Sequence, residues 1–235
     1  MAGFLGGVVA TLPERPRAVL VVTAHWEAPV ATVSTSADPS LLYDYSGFPE
    51  AAYALSWPAR GCPAVAAEVV ESLRGAGLPY ATDAARGYDH GTFVPMMLAL
   101  PHGEVPVVQL SLLSSLDARA HLDLGRALRP LRDAGVWIVG SGMTFHNLRA
   151  FFDPRSAAPA AAFDRWLVDA MASEPARREA ALASWTDAPY ARFVHPREEH
   201  LLPLHVIVGA GGEAPARIAW RGTYMGLALS AFHVG

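Results

Sequence analysis

Four histidines stand in settings that could support chemistry. His25 follows an apolar run in Thr23-Ala24-His25-Trp26-Glu27, and His90 lies in Arg86-Gly87-Tyr88-Asp89-His90-Gly91-Thr92-Phe93-Val94-Pro95. His146 sits in Ser141-Gly142-Met143-Thr144-Phe145-His146-Asn147-Leu148-Arg149, and His200 ends His195-Pro196-Arg197-Glu198-Glu199-His200. Neutral imidazole is the commonest transition-metal ligand, and its ordinary pKa also suits proton transfer near neutrality. The residue types alone leave a metal site and a histidine acid/base site both open. Asp89 before His90 reads equally well as an acid/base partner or as a helix N-cap. His200 either joins a site or decorates a helix terminus, and the spacing at His146 does not separate a ligand from an acid/base group. His102, His121, His195, His205 and His233 read as ordinary surface or core residues, His195 least clearly so.

Several mechanisms fall away on composition. All 18 basic residues are arginine, so neither a Schiff-base lysine nor a lysine-bearing phosphate loop exists. A single cysteine, Cys62, excludes an internal disulfide and a thiolate zinc cluster. No His-Glu-x-x-His or Cys-x-x-Cys spacing is present, and Gly140-Ser141-Gly142 places its serine too close to the first glycine for a nucleophile elbow. A net charge of -4 gives no basic footprint for nucleic acid. No run of about 18 apolar residues spans a membrane, and no basic region precedes the N-terminal apolar residues. The expected location is the cytoplasm.

The elements that must position these histidines follow from hydrophobic pattern. Ala18–Val22, Val105–Leu112 and Gly135–Gly140 are continuous apolar runs, the pattern of strands buried on both faces. A further strand is expected near Val30–Ser34. Helical spacing covers Ala64–Arg74, Asp117–Ala134, 158–173 and 176–185, with Pro130 expected to kink or break the second of these. A short glycine-weakened helix over 2–12 precedes them, and an apolar stretch follows His200. Ile218–Trp220 and Leu227–Phe232 suggest closing strands. Residues 36–62, rich in tyrosine, are too long and too aromatic for a plain connector and read as a lid or substrate wall. Alternating strands and helices predict one α/β domain over 1–235, its central sheet mostly parallel or mixed and covered by helices on both faces. In such sheets the ligand lies beyond the C-terminal ends of the strands, where His25 and His146 fall.

With these residues in hand, the chain resembles the DOPA-dioxygenase-type members of the class III extradiol ring-cleavage dioxygenases, the LigB-like superfamily. The resemblance rests on Thr23-Ala24-His25-Trp26, Tyr43-Asp44-Tyr45-Ser46-Gly47-Phe48-Pro49, Asp89-His90-Gly91 and Val107-Val108-Gln109-Leu110-Ser111. It continues through Gly140-Ser141-Gly142 with His146-Asn147-Leu148-Arg149, and Glu199-His200-Leu201-Leu202-Pro203-Leu204. It implies a non-haem metal, Fe(II) for oxygenase activity with Zn(II) in some members. It further implies His25 and His200 as metal ligands, and His90 and His146 as acid/base residues beside the metal. The reactants it implies are a small catechol-type aromatic compound and O2. Tyr45, Phe48 and Trp26 are candidates to wall the aromatic ring, though aromatic residues are as often core.

Two departures stand out. Family members begin with a strand ending in a His-Gly pair that supplies the first ligand, and here no histidine precedes His25. The expectation is either a start assigned too far downstream or a chain without that strand and ligand, with Glu199, Glu27 or Asp89 as substitutes. Trp57-Pro58-Ala59-Arg60-Gly61 stands where the family more often has Tyr-Pro-Ala-Pro-Gly, a change expected in the substrate wall. An impaired or non-catalytic ligand-binding relative and a metal-dependent hydrolase are the alternatives to ring opening.

Overall fold

The computed structural model describes residues 1–235. In chain order its helices and strands are α1 (Ala2–Gly7), β1 (Ala18–Ala28), β2 (Ala31–Ser34), α2 (Pro63–Gly75), β3 (Tyr80–Asp83) and α3 (His90–Ala99). β4 (Val107–Leu113), α4 (Ala118–Asp133), β5 (Val136–Ser141), α5 (Ala157–Ala172) and α6 (Pro175–Ala183) follow. α7 (Ala191–Val194), α8 (Leu202–Gly211), β6 (Ala216–Tyr224) and β7 (Leu227–Val234) complete it. Five strands form one sheet in the order β3-β2-β4-β1-β5, parallel except where β2 meets β4. This is the mixed α/β domain expected from the pattern, and no helix is long and apolar enough to cross a membrane.

β1 explains why the sheet needs cover on both sides. Successive strand residues point to opposite faces, yet Ala18 through Val22 are all fully buried. Ala18, Leu20 and Val22 enter the larger core with Val65 and Val69 of α2, Leu124 and Leu128 of α4, and Val206 of α8. Val19 and Val21 enter a smaller core with Phe93, Met96 and Ala99 of α3. Trp57 belongs to that smaller core too: its indole donates to Leu100 O at 2.9 Å and its ring packs on Tyr88. The Trp57 departure therefore sits in the core, not in a substrate wall.

Three other expectations are corrected. β5 is an edge strand with Trp137, Ile138 and Val139 only half-buried, because it pairs with β1 alone. β6 and β7 do not close the main sheet; they pair with each other as a separate antiparallel ribbon. α4 continues past Pro130 to Asp133, so the proline does not break it.

The larger core also holds histidine. His205 is fully buried, its ring nitrogens 3.2 Å from Leu201 O and 2.9 Å from Leu182 O. His195 is fully buried against the rings of Phe163 and Trp185. Burial pushes the His205 pKa down to about 4 and that of His195 to about 3, from an ordinary value of 6.5. In that window the unfolded chain binds protons that the folded chain refuses, so folding stability rises with pH and falls on acidification. Chemical denaturation should show stability dropping between about pH 6.5 and pH 4 by at least ~2 kcal/mol. A flat profile there would show that these rings accept protons without unfolding.

Candidate active site

β1 delivers His25 through an irregularity. Val22 pairs with Leu110 and Glu27 with Leu112, so Thr23, Ala24, His25 and Trp26 lie opposite the single residue Ser111. Bulged strands re-aim side chains and recur beside active sites. The bulge is tied to α3 by Asp89, the N-cap of that helix, which accepts from Thr92 N–H at 3.0 Å and from Thr23 Oγ1 at 2.8 Å. Arg86 donates to the other Asp89 oxygen at 2.9 Å and to His25 O at 3.2 Å, with its guanidinium over the Trp26 ring. Thr23 Oγ1 in turn accepts from His25 N–H at 3.2 Å. Of the two accounts of Asp89, the capping one holds, and the carboxylate partner of His90 is a different residue, Asp44.

α3 also absorbs a proline. Pro95 has no N–H to give to Gly91 O, the acceptor four residues back, and the Ser141 hydroxyl at the end of β5 donates to that carbonyl instead. Ser141 thus joins β5 to α3. A methyl on Gly142 would run into His200 O, which accepts from Met143 N–H at 2.9 Å, so the Gly-Ser-Gly turn passes close against the start of α8. The segment carrying His146 is pinned by His146 N–H to Val194 O at 3.0 Å and Asn147 Nδ2 to Phe193 O at 2.7 Å.

The result is a row of four imidazoles from four parts of the chain. The rings of His90 and His25 have centroids 3.9 Å apart, those of His25 and His200 4.9 Å, and those of His200 and His146 3.2 Å. Each end of the row carries a carboxylate. Asp44 Oδ1 lies 2.8 Å from His90 Nδ1 and also accepts His90 N–H at 3.0 Å. Glu199 Oε1 lies 3.1 Å from His200 Nδ1 and 3.4 Å from His146 Nδ1.

Electrostatics keep the two central rings, His25 and His200, ready for a cation other than a proton. Burial, and then the neighbouring His90 and His200, push the His25 pKa down to about 3. Burial also lowers His200, against the pull of Glu199. Burial would raise the Glu199 carboxyl, but hydrogen bonds from His146 and His200 outweigh it and hold the group well below the usual carboxylate range. Neutral rings beside ionised carboxylates are the donor set a divalent transition metal takes. One donor atom from each of His25, Asp44 and His90 lies within 4.8 Å of the others, as is true of His146, Glu199 and His200. The residues present fit a bound metal.

Comparison with known proteins identifies the family. Residues 8–229 match the family model described as the catalytic LigB subunit of aromatic ring-opening dioxygenase. The chain belongs to the LigB family. It is 40% identical to dioxygenase tasH of Hapsidospora irregularis, over 94% of this chain and 72% of that protein. It is 41% identical to a 4,5-DOPA dioxygenase extradiol of Portulaca grandiflora, over 89% of this chain and 78% of that one. With the protein of the same name from Escherichia coli (strain K12) the identity is 35%, over 96% and 84%. A crystal structure of an uncharacterised Escherichia coli K12 protein superposes with a TM-score of 0.82 at 31% identity, covering 100% of this chain and 92% of that one. This LigB-family protein is an aromatic ring-opening dioxygenase, with an aromatic compound and O2 as its reactants.

All four histidines singled out by sequence therefore share one site. Of the three carboxylates considered as substitute ligands, only Glu199 reaches a histidine ring; Glu27 is forked onto Arg197 at 2.5 and 2.7 Å, and Asp89 is spent on capping. Sequence reading missed Asp44, although it lies inside the tyrosine-rich motif, and missed Thr23 and Arg86. Trp26 is buried beneath Arg86. Tyr45 presents its ring to His90 at 5.6 Å while its hydroxyl donates to Ala52 O at 2.5 Å. Phe48 packs on Tyr45 and is 60% exposed.

Gly91 tests this packing. A methyl there would lie 2.6 Å from His25 Cδ2 and 2.7 Å from Thr23 Oγ1, with no flexible side-chain end to move aside. Gly91→Ala should cost about 1–3 kcal/mol in chemical denaturation and displace the His25 ring. A variant with an unchanged midpoint would show that the bulge has slack.

Proposed function

We propose that this protein opens a catechol-type ring in the extradiol manner, with O2, at a non-haem Fe(II) held by His25 and His200. The observation that carries the reading is the convergence of the rings of His90, His25, His200 and His146 in one row, backed by relatives named as 4,5-DOPA extradiol dioxygenases. When bound, the iron supplies a redox-active Lewis acid at which a catechol and O2 meet. In this reading Zn(II) fits the same nitrogen donors but leaves the oxygenase idle. The site of action is the cytoplasm, in keeping with a lone thiol at Cys62.

The chain's own residues supply proton handling and orientation. His90 directs Nδ1 at Asp44, which leaves Nε2 to take a proton from a catechol hydroxyl. His146, at the opposite end of the row, delivers a proton to oxygen as the O–O bond breaks, both oxygen atoms staying in the ring-opened product. General acid–base groups of this kind contribute roughly 10²–10⁴-fold. Tyr45 and Phe48 stand over His90 as an aromatic wall; with its hydroxyl bound to Ala52 O, Tyr45 offers a ring face and edge instead of an acid. Stacking between such rings is worth about 0.5–1.5 kcal/mol beyond burial, enough to orient a flat substrate but not to bind it alone.

Anaerobic loading with Fe(II), followed by catechol or DOPA and then air, should give a yellow ring-opened product. His25→Ala and His200→Ala should abolish iron binding. His146→Ala should keep the iron and lose turnover by roughly 10²–10⁴-fold. Iron demonstrably bound with no product from a panel of catechols would sink the proposal.

A further inference from the structure

Every carboxylate near the histidine row has a visible task except one. Asp44 serves His90, Asp89 caps α3, and Glu27 receives the fork of Arg197. Glu199 alone faces two imidazoles. Its Oε1 is 3.1 Å from His200 Nδ1 and 3.4 Å from His146 Nδ1, while Oε2 is 3.4 Å from Arg197 Nη1. The two rings lie nearly parallel, 13° apart, with centroids 3.2 Å apart. The Glu199 side chain is only 14% exposed, so water does little to dilute these contacts.

We propose that Glu199 is a positioning residue that sets the tautomer and orientation of His200 and His146 together. An ionised carboxylate accepts and does not donate, so each ring must turn a protonated Nδ1 toward it. Any other tautomer would aim a nitrogen lone pair at a negative charge. Both rings are thereby left with a bare Nε2, which for His200 is the metal-binding nitrogen and for His146 the nitrogen that takes up the proton it later delivers. A carboxylate behind a ligating imidazole raises its basicity and fixes its plane. Sharing one oxygen between the two rings keeps them in register, so that the ring holding the metal and the ring moving the proton cannot drift apart independently.

Arg197 completes the device. Its fork on Glu27 ties Glu199 to β1, two residues beyond His25. The orientation of His200 is thus referenced to the strand that supplies His25, its neighbour in the row. The role rests on the assignment of His200 as a metal ligand made above, and the test separates the two.

The measurement is equilibrium Co(II) binding to the full chain, in competition with a chromophoric chelator, together with the d–d spectrum of the saturated protein. Circular dichroism on each variant confirms that it is folded. Glu199→Ala should bind Co(II) about 10- to 100-fold more weakly with the same spectrum at saturation. Glu199→Gln, which retains an acceptor oxygen, should recover part of the loss. Unchanged affinity in Glu199→Ala would overturn the proposal. So would a changed spectrum in Glu199→Gln, since the carboxylate would then be in the metal's own shell. Full affinity in His200→Ala would instead overturn the ligand assignment, and the Glu199 role with it.

Discussion

One buried carboxylate holds the first half of the site, His25 and His90, in place. Asp89 is fully buried, and taking such a charge out of water costs several kcal/mol unless donors replace the water. Its donors come from three places: Thr23 in the β1 bulge, Arg86 in the loop before the helix, and the Thr92 amide in the first turn of α3. They satisfy Asp89 only when bulge, loop and helix sit together. Removing one partner of such a pair typically costs 3–5 kcal/mol, a large fraction of a domain's whole stability. Gln109 of β4 adds a second knot, accepting from the Asp89 amide and the Thr92 hydroxyl while donating to Gly87 O. His25, two residues beyond Thr23, and His90, directly after Asp89, inherit their positions from this arrangement.

The second half of the row depends on close backbone approach. Gly142 lets the end of β5 run against His200 O, and Ser141 supplies the hydrogen bond that Pro95 denies to Gly91 O. A helix interior normally loses about 3 kcal/mol to a proline. Here part of that loss is recovered by a hydroxyl from the neighbouring element, and the recovery is itself a tether between β5 and the helix that opens at His90. The close backbone approaches described here and the residues of the site are thus neighbours in the fold. In the middle of the row, burial and the neighbouring rings both push the His25 and His200 pKa values down, so the two effects favour the same neutral state of those rings.

Much of this was legible in the sequence, for a definite reason. Ala18–Val22 is apolar at every position because β1 is covered on both faces, and that pattern alone puts His25 toward the C-terminal end of the strand. The four histidines could be grouped because each follows a strand or opens a helix, where α/β sheets bind ligands. What the sequence hid was lateral. The edge position of β5 depends on which strands pair, and its apolar run looks the same at an edge as in the middle. Leu227–Phe232 looked like a closing strand because alternation does not reveal which partner it finds. Adjacency in sequence left Asp89 equally readable as the partner of His90 or as a helix N-cap, and nothing in the sequence singled out Asp44. A helix N-cap turns its carboxylate back toward the helix amides, away from the next residue's ring, and the free partner had to come from a loop 46 residues earlier.

The absence of lysine sharpens the view of how these charges work. A lysine ammonium is a single point charge on a flexible stem, whereas a guanidinium presents a planar fork that can meet two oxygens at once. Arg197 uses that fork on both Glu27 oxygens and still has Nη1 within 3.4 Å of Glu199. Arg86 divides its donors between Asp89 and His25 O while its flat face covers Trp26. Neither task could be done by one ammonium. Exposed ion pairs of this type contribute little stability on their own, about 0–1 kcal/mol, so the half-exposed Arg197 is poorly explained as a stabilising bridge. Its value lies in geometry: it connects the strand behind His25 to the carboxylate behind His200 and His146, and it holds both without entering the row of rings.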